Sequence, residues 1–246
     1  MNGVYRETFR VRASEIGPGG TMRLPSLLDL FQECAGTNAT ELGWGSDRLL
    51  ADGKTWVLSR FHLRCRGLPA WRDAIAVETW PSGVHRVFAV REFRALAVDG
   101  TLLADATSAW LLVAVPSKRP LRQPPEIAAI AARTPPRTIP DAFDELAAPA
   151  AGSPAGPSFR IGRFDLDLNA HANNVAIFRA LLEALPAQPP PFELEAEFRG
   201  ESFEGDQLRT RVDEANGSHR AALLREGDGR EIARATLSAS SRPPAP

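Results

Sequence analysis

Apolar and polar side chains take turns from Tyr5 to Ala13, the pattern of a strand with one covered face. Pro25 then opens a stretch in which Leu27, Leu28, Phe31 and Cys34 recur at helical spacing. That spacing predicts a helix from Leu24 to Leu42 with proline in its first turn. Gly43, Gly45 and Gly53 predict a loop. Four alternating segments follow, Trp56 to Arg66, Ala74 to Trp80, Val87 to Val98 and Leu102 to Val115. Pro81-Ser82-Gly83 and Asp99-Gly100 predict turns between neighbours, the second a strong hairpin marker.

The second half repeats the order. A strand is predicted at Ser158 to Gly162 and a helix at Asn173 to Leu185. Strands follow at Phe192 to Arg199, Gln207 to Glu214, His219 to Arg225 and Glu231 to Ser240, with turns at Asn216-Gly217 and Asp228-Gly229. Shifted by 150 residues, Phe9-Arg10-Val11 falls on Phe159-Arg160-Ile161, and Leu27 to Glu33 on Ile177 to Glu183. Strand, helix and antiparallel meander, done twice, imply an α+β chain of two repeats, each a curved sheet around a long apolar helix. The first repeat is expected over 1–115, a Pro- and Ala-rich connection with a short helical piece near Glu126 to Arg133 over 116–157, the second repeat over 158–241, and a disordered tail over 242–246.

Composition narrows the function. A formal net charge of −1 favours neither nucleic acid nor an anionic membrane. Apolar runs such as Ala109 to Val115 are strand-length, short of the ~18 residues that span a bilayer. The start of the chain has no signal-peptide core, and Cys34 and Cys65 lie far apart without metal-type spacing. A cytoplasmic, reducing compartment is expected, with both cysteines as small core residues.

The chemistry concentrates where the second repeat passes from strand to helix. Asp167, Asn169 and His171 occupy alternate positions, and an extended backbone there would aim all three at one point before a helix N-terminus. Under the same shift they meet Gly17, Gly19 and Thr21, which have nothing to titrate. A second asymmetry lies after the next strand. Phe198-Arg199-Gly200-Glu201 corresponds to Cys65-Arg66-Gly67-Leu68, so Glu201 stands where the first repeat has Leu68. One repeat carries reactive groups and the other is free to hold an apolar ligand. Asp165 is read as structural, Asn173 and Asn174 as helix caps, and Gln32-Glu33 as structural. His62, His85 and His219 are read as surface or satisfied core residues.

These residues carry a family resemblance. Trp56-Val57-Leu58-Ser59-Arg60, Glu78 to Gly83, Ser108 to Leu112, Asp167 to Val175 and Phe198 to Glu201 make the chain similar to the acyl-acyl carrier protein thioesterases, the tandem hot-dog enzymes of plants and bacteria. The resemblance implies a double hot-dog fold and hydrolysis of a fatty acyl thioester on acyl carrier protein. It places the catalytic residues at Asp167, Asn169, His171 and Glu201. Ser202 stands where plant members commonly have cysteine, which argues against an obligatory cysteine nucleophile.

The expected reaction is attack of water on the thioester, with no metal and no organic cofactor. Glu201 is the expected base, Asp167 orients His171 or the water, and His171 shuttles protons. Asn169 and backbone N–H groups near Ala172 to Asn174 are the expected oxyanion donors. Acyl-coenzyme A is the alternative carrier. Dehydration by a hot-dog hydratase and acyl binding without hydrolysis are the alternative classes. The expected partner is acyl carrier protein, with no nucleic acid and no membrane span, on a monomer or homodimer. Carrier proteins are acidic, so Arg60, His62, Arg64 and Arg66, on one face of a strand, are a candidate docking face beside the plainer reading of a solvated sheet surface.

Overall fold

A computed structural model describes residues 3–240; the tail expected to be disordered lies outside them. The chain divides into two compact units between Phe143 and Asp144. The first contains β1 (Tyr5–Arg10), a 3-10 turn (Ala13–Glu15), α1 (Leu24–Glu41), α2 (Ser46–Ala51), β2 (Lys54–Cys65), β3 (Ala74–His85), β4 (Phe88–Ala97), β5 (Leu102–Ala114), β6 (Arg119–Pro120) and α3 (Pro125–Ala131). The second contains β7 (Ala155–Arg160), a 3-10 turn (Arg163–Asp165), α4 (Asn174–Ala184), β8 (Phe192–Phe198), β9 (Gln207–Ala215), β10 (Ser218–Arg225) and β11 (Glu231–Ala239). Strand order is β1-β3-β4-β5-β2 in one unit and β7-β9-β10-β11-β8 in the other, the same arrangement with every pairing antiparallel. The short β6 pairs with β5.

Each sheet packs on one long helix, and in the first unit the shorter α2 and α3 also lie against β2 and β3. α1 buries Leu27, Leu28, Phe31 and Cys34, and the Phe31 ring stacks on Phe93 of β4 at 4.9 Å between centroids. α4 buries Val175, Ile177, Phe178 and Leu181, with Phe178 edge-on to Phe198 of β8 at 5.2 Å. Burying one such side chain stabilises by about 1.5–3 kcal/mol, so these two faces set which way each sheet closes. Cys34 and Cys65 are free and buried, and burial pushes both thiols up to about 12. Neither is a ready thiolate.

Local chemistry departs from the sequence reading in three places. The glycines after α1 bound a helix instead of forming a loop. Gly45 caps α2, Gly43 and Gly53 take positive φ on either side, and Leu49 supplies its buried contact. Pro81-Ser82-Gly83 is not a turn. β3 runs through it to His85 with a bulge between Pro81 and Gly83, where proline needs no ladder N–H. The chain reverses at Arg86-Val87 instead, with Arg86 at φ 54°.

The third departure concerns the basic face of β2. Arg64 and Arg66 both pair with Asp105 of β5, Arg64 also donates to the Thr138 carbonyl, and His62 Nδ1 lies 2.8 Å from Asp141. These three side chains are paired inside the fold and Arg60 bonds Ser59, so the four do not form an open cationic docking face. Two of the partners come from the connection between the repeats.

That connection lies on the first sheet up to Phe143. The buried indole of Trp80 donates to the Pro135 carbonyl at 2.9 Å, and Thr134 donates to the Pro81 carbonyl. Glu92 is fully buried and accepts from Ser82 Oγ, Thr107 Oγ1, and both Thr138 N and Oγ1, at 2.7–2.9 Å. One carboxyl group thus joins two strands to the connection. Replacing Glu92 by Leu should lower unfolding stability by about 3 kcal/mol, because it strands buried donors. Denaturant titration measures this, and early proteolytic cutting between 132 and 143 should accompany it. An unchanged midpoint would mean the carboxyl is not a fastener.

Candidate active site

The four candidate residues all lie in the second unit, on two loops. The first runs from Ile161 to Asn173. It holds the 3-10 turn, then an isolated bridge between Leu166 and Ala172 that encloses a tight reversal. Ala170 N donates to Asp167 O at 3.0 Å, Asp167 N donates to His171 O at 2.8 Å, and Ala170 sits at φ 58°. The extended run with three groups on one side is therefore corrected to a turn. The cause lies in Asp167 itself. Its Oδ1 accepts from Asn169 N at 2.8 Å and His171 N at 3.1 Å, as aspartate does at turns. Asp167 thus shapes the backbone that carries His171, while Asn169 Nδ2 stands 3.5 Å from its other oxygen.

The helix start is also more committed than expected. Ala172 N donates to Ser202 O and Asn173 N to Asp165 O, each at 2.7 Å. Two expected oxyanion donors thus serve the fold. Asn173 Oδ1 accepts from Val175 N at 2.8 Å and is the predicted cap. Asp165 is structural, accepting from Gly162 N and pairing with Arg179.

The second loop, Arg199 to Asp206, carries Glu201. Its carboxylate Oε1 is 3.9 Å from His171 Nδ1, and both side chains are about one-third exposed (35% and 33%). Phe203 packs against the His171 ring, centroids 5.0 Å apart and the rings nearly perpendicular. The imidazole thus has a carboxylate and an aromatic ring as neighbours and remains about one-third exposed. Beneath Glu201 runs a clamp that sequence reading missed. Arg225 Nη1 donates to the Glu201 carbonyl and to Asp206, both at 3.3 Å, and Arg225 also grips Asp228. Asp206 in turn accepts from Ser202 Oγ and Phe203 N at 2.9 Å. Burial alone would raise the Asp206 carboxyl, but the Phe203 N–H, Ser202 hydroxyl and Arg225 hold it below its usual range. The Arg225 guanidinium holds Asp228 down at about 2.

The first unit is a built-in control. Gly17 N bonds Thr21 O, Gly20 N bonds Gly17 O, Met22 N bonds Pro69 O and Arg23 N bonds Glu15 O, repeating the bonds of Asp167, Ala170, Ala172 and Asn173. Asp73 accepts from Ala70 N as Asp206 does from Phe203 N. With the backbone held constant, differences in side chain are differences in use. Thr21 and Leu68 stand at the places of His171 and Glu201, and Ala97 at that of Arg225, by matching strand register. That comparison was the signal for Arg225, but it requires the strand pairing to be known. Gln32 and Glu33 line an open hollow of about 570 Å³ on α1 with Asp29, Gly36, Thr37, Thr40 and Glu41. Its walls come from one helix of the first unit and bring no histidine.

Two units of one topology, each an antiparallel sheet against a central helix, define a double hot-dog protein. The chain belongs to the acyl-ACP thioesterase family: the family model described as the acyl-ACP thioesterase N-terminal domain matches residues 2–131. It is 27% identical over 272 residues to oleoyl-acyl carrier protein thioesterase 1 of Arabidopsis thaliana, covering 94% of this chain and 75% of that protein. It is 29% identical over 203 residues to the oleoyl-acyl carrier protein thioesterase of Coriandrum sativum, covering 75% of this chain and 54% of that one. Among solved structures, an acyl-ACP thioesterase from Bacteroides thetaiotaomicron superposes with a TM-score of 0.84 at 22% identity, over 96% of this chain and 98% of the other. The 12:0-ACP thioesterase of Umbellularia californica gives 0.83 at 22% identity, over 96% of each.

The clamp generates a prediction that needs no substrate. Replacing Asp206 by Ala should speed hydrogen exchange of the Phe203 amide about tenfold, the equivalent of about 1.4 kcal/mol. Arg225→Ala should do so less. In the parent protein the protection should persist from neutral pH down to about 4 and fade below, because carboxyls held under their ordinary range lose their contribution only as they protonate. Equal exchange in all three proteins would remove the clamp.

Proposed function

We propose that this chain hydrolyses the thioester of fatty acyl-acyl carrier protein to release free fatty acid. The observation that carries the reading is the 3.9 Å approach of Glu201 to His171 in one repeat, where the other repeat keeps the same backbone but presents Leu68 and Thr21. Membership of the acyl-ACP thioesterase family supports the substrate.

Glu201 and His171 stand close enough for a single water to touch both. Glu201 takes a proton from that water as its oxygen attacks the thioester carbonyl carbon. Negative charge develops on the carbonyl oxygen, and the Asn169 amide is the side-chain donor we assign to it. Collapse breaks the carbon–sulfur bond. His171, exchanging protons with Glu201, returns one to the departing thiolate. Asp167 acts through the turn, keeping Asn169 and His171 in place by accepting their backbone N–H groups. The chemistry falls to residues 158–241, the acyl chain to the cavity side of residues 1–115, and 116–157 connects them. Free buried thiols fit a reducing compartment, and we place the protein in the cytoplasm as a monomer or homodimer.

Turnover of acyl-acyl carrier protein should fall about 100-fold or more in Glu201→Ala and in His171→Ala, and stay near the parent value in Leu68→Ala. Near-parental turnover in Glu201→Ala would sink the assignment of the base. Asp167 separates two roles. Asp167→Asn keeps an oxygen for the two N–H groups and should retain most activity, whereas Asp167→Ala should lose about tenfold or more. Equal loss in both would make Asp167 a charge-bearing catalytic group instead of a positioning one. Rates on acyl-coenzyme A and acyl carrier protein, measured with one acyl chain, decide the carrier.

A further inference from the structure

The matched backbones of the two repeats isolate surface residues that the fold does not need. Phe164 is 89% exposed and Leu168 is 92% exposed. They lie on the two consecutive turns that present the catalytic loop, and Leu168 sits between Asp167 and Asn169. The same places in the first repeat are also exposed and hold Ser14 and Pro18. Arg163 repeats the contrast. Its guanidinium lies over the Phe164 ring at 4.5 Å, and its counterpart is Ala13. Alanine, serine and proline thus suffice to build this loop, and the catalytic copy carries arginine, phenylalanine and leucine in their stead.

Two large, almost fully exposed apolar side chains on one loop, absent from the matching loop, are what a partner-binding surface would present. The charge around them says which partner. The exposed ionic side chains of residues 160–172 are Arg160 and Arg163, while Asp165 is tied to Arg179 and Asp167 to the turn. The loop therefore offers apolar surface with positive charge at its edge. On the reading of the site as a thioesterase, we propose that Arg163, Phe164 and Leu168 form the docking surface for an acyl carrier protein. Carriers are acidic, and apolar contact flanked by opposite charge gives such a partner both affinity and orientation. The surface lies on the loop that holds His171, so a docked carrier delivers its thioester beside the reacting groups. It also replaces Arg64 and Arg66, which Asp105 occupies.

The test gives the catalytic loop the residues that its own copy carries. Arg163→Ala, Phe164→Ser and Leu168→Pro are combined in the full chain, so the backbone remains one this protein already folds. Kinetics are compared on an acyl-acyl carrier protein and on the same acyl group attached to pantetheine. The expected result is a rise of about tenfold in KM for the carrier substrate with kcat within twofold, and no change on the pantetheine ester. Added salt should narrow the gap by weakening the Arg163 share. Equal losses on both substrates, or no change on either, overturn the docking surface. So does binding of the parent, but not the variant, to phosphatidylglycerol vesicles with an unaltered KM for the carrier, which would assign the patch to lipid. If the parent hydrolyses neither ester, the proposed function fails; if it hydrolyses both and the variant does not discriminate, only the docking surface fails.

Discussion

Backbone hydrogen bonds between two loops hold this structure's chemistry in place. In the second unit Ala172 N reaches Ser202 O and Ile161 N reaches Asp206 O; in the first, Met22 N reaches Pro69 O and Val11 N reaches Asp73 O. Each pair ties the approach to the central helix to the loop leaving the first strand after it. Because main-chain atoms do this tying, the positions of His171 and Glu201 are not needed to hold the two loops together. One repeat spends that freedom on His171 and Glu201. The other fills the same positions with Thr21 and Leu68 and presents an inert wall.

Polar groups elsewhere are consumed by the fold. Glu92 takes four donors to fasten the connection onto the first sheet, and Asp105 absorbs Arg64 and Arg66. A buried polar group without a partner costs about 1–3 kcal/mol, so such groups arrive with partners or not at all. Glu201 and His171 differ in kind. They stand 3.9 Å apart, about one-third exposed, and the clamp grips the backbone of the Glu201 loop. The fastening groups are buried among several donors each, whereas the candidate pair is reached by solvent.

The duplicated geometry also explains why Asp167 admits two readings. As a turn residue it accepts two N–H groups, and glycines at the same reversal in the other repeat need no such acceptor. A sequence with Asp, Asn and Ala at that reversal needs the carboxylate to hold Ala170 at positive φ. Its structural role therefore serves the placement of Asn169 and His171.

Most of the architecture was legible from periodicity. The helix spacing of Leu27 to Cys34, the alternation along β2 to β5 and the Asp99-Gly100 hairpin gave the elements to within a few residues, because burial on one face imposes a period on the chain. The repeat, and with it the candidate residues Asp167, Asn169, His171 and Glu201, followed from the same pattern. Pairings between distant residues were not legible. Asp105 pairing with Arg64 and Arg66, Glu92 collecting Thr138, and Arg225 reaching the Glu201 carbonyl join residues 24 to 46 apart, and no local pattern records them. The sequence by itself determined which faces are buried and which repeat carries titratable groups, since both depend on residue type and local spacing. Tertiary structure alone decided which charges remain available for a partner or a substrate, since that depends on which side chains the closed sheet brings within hydrogen-bonding reach.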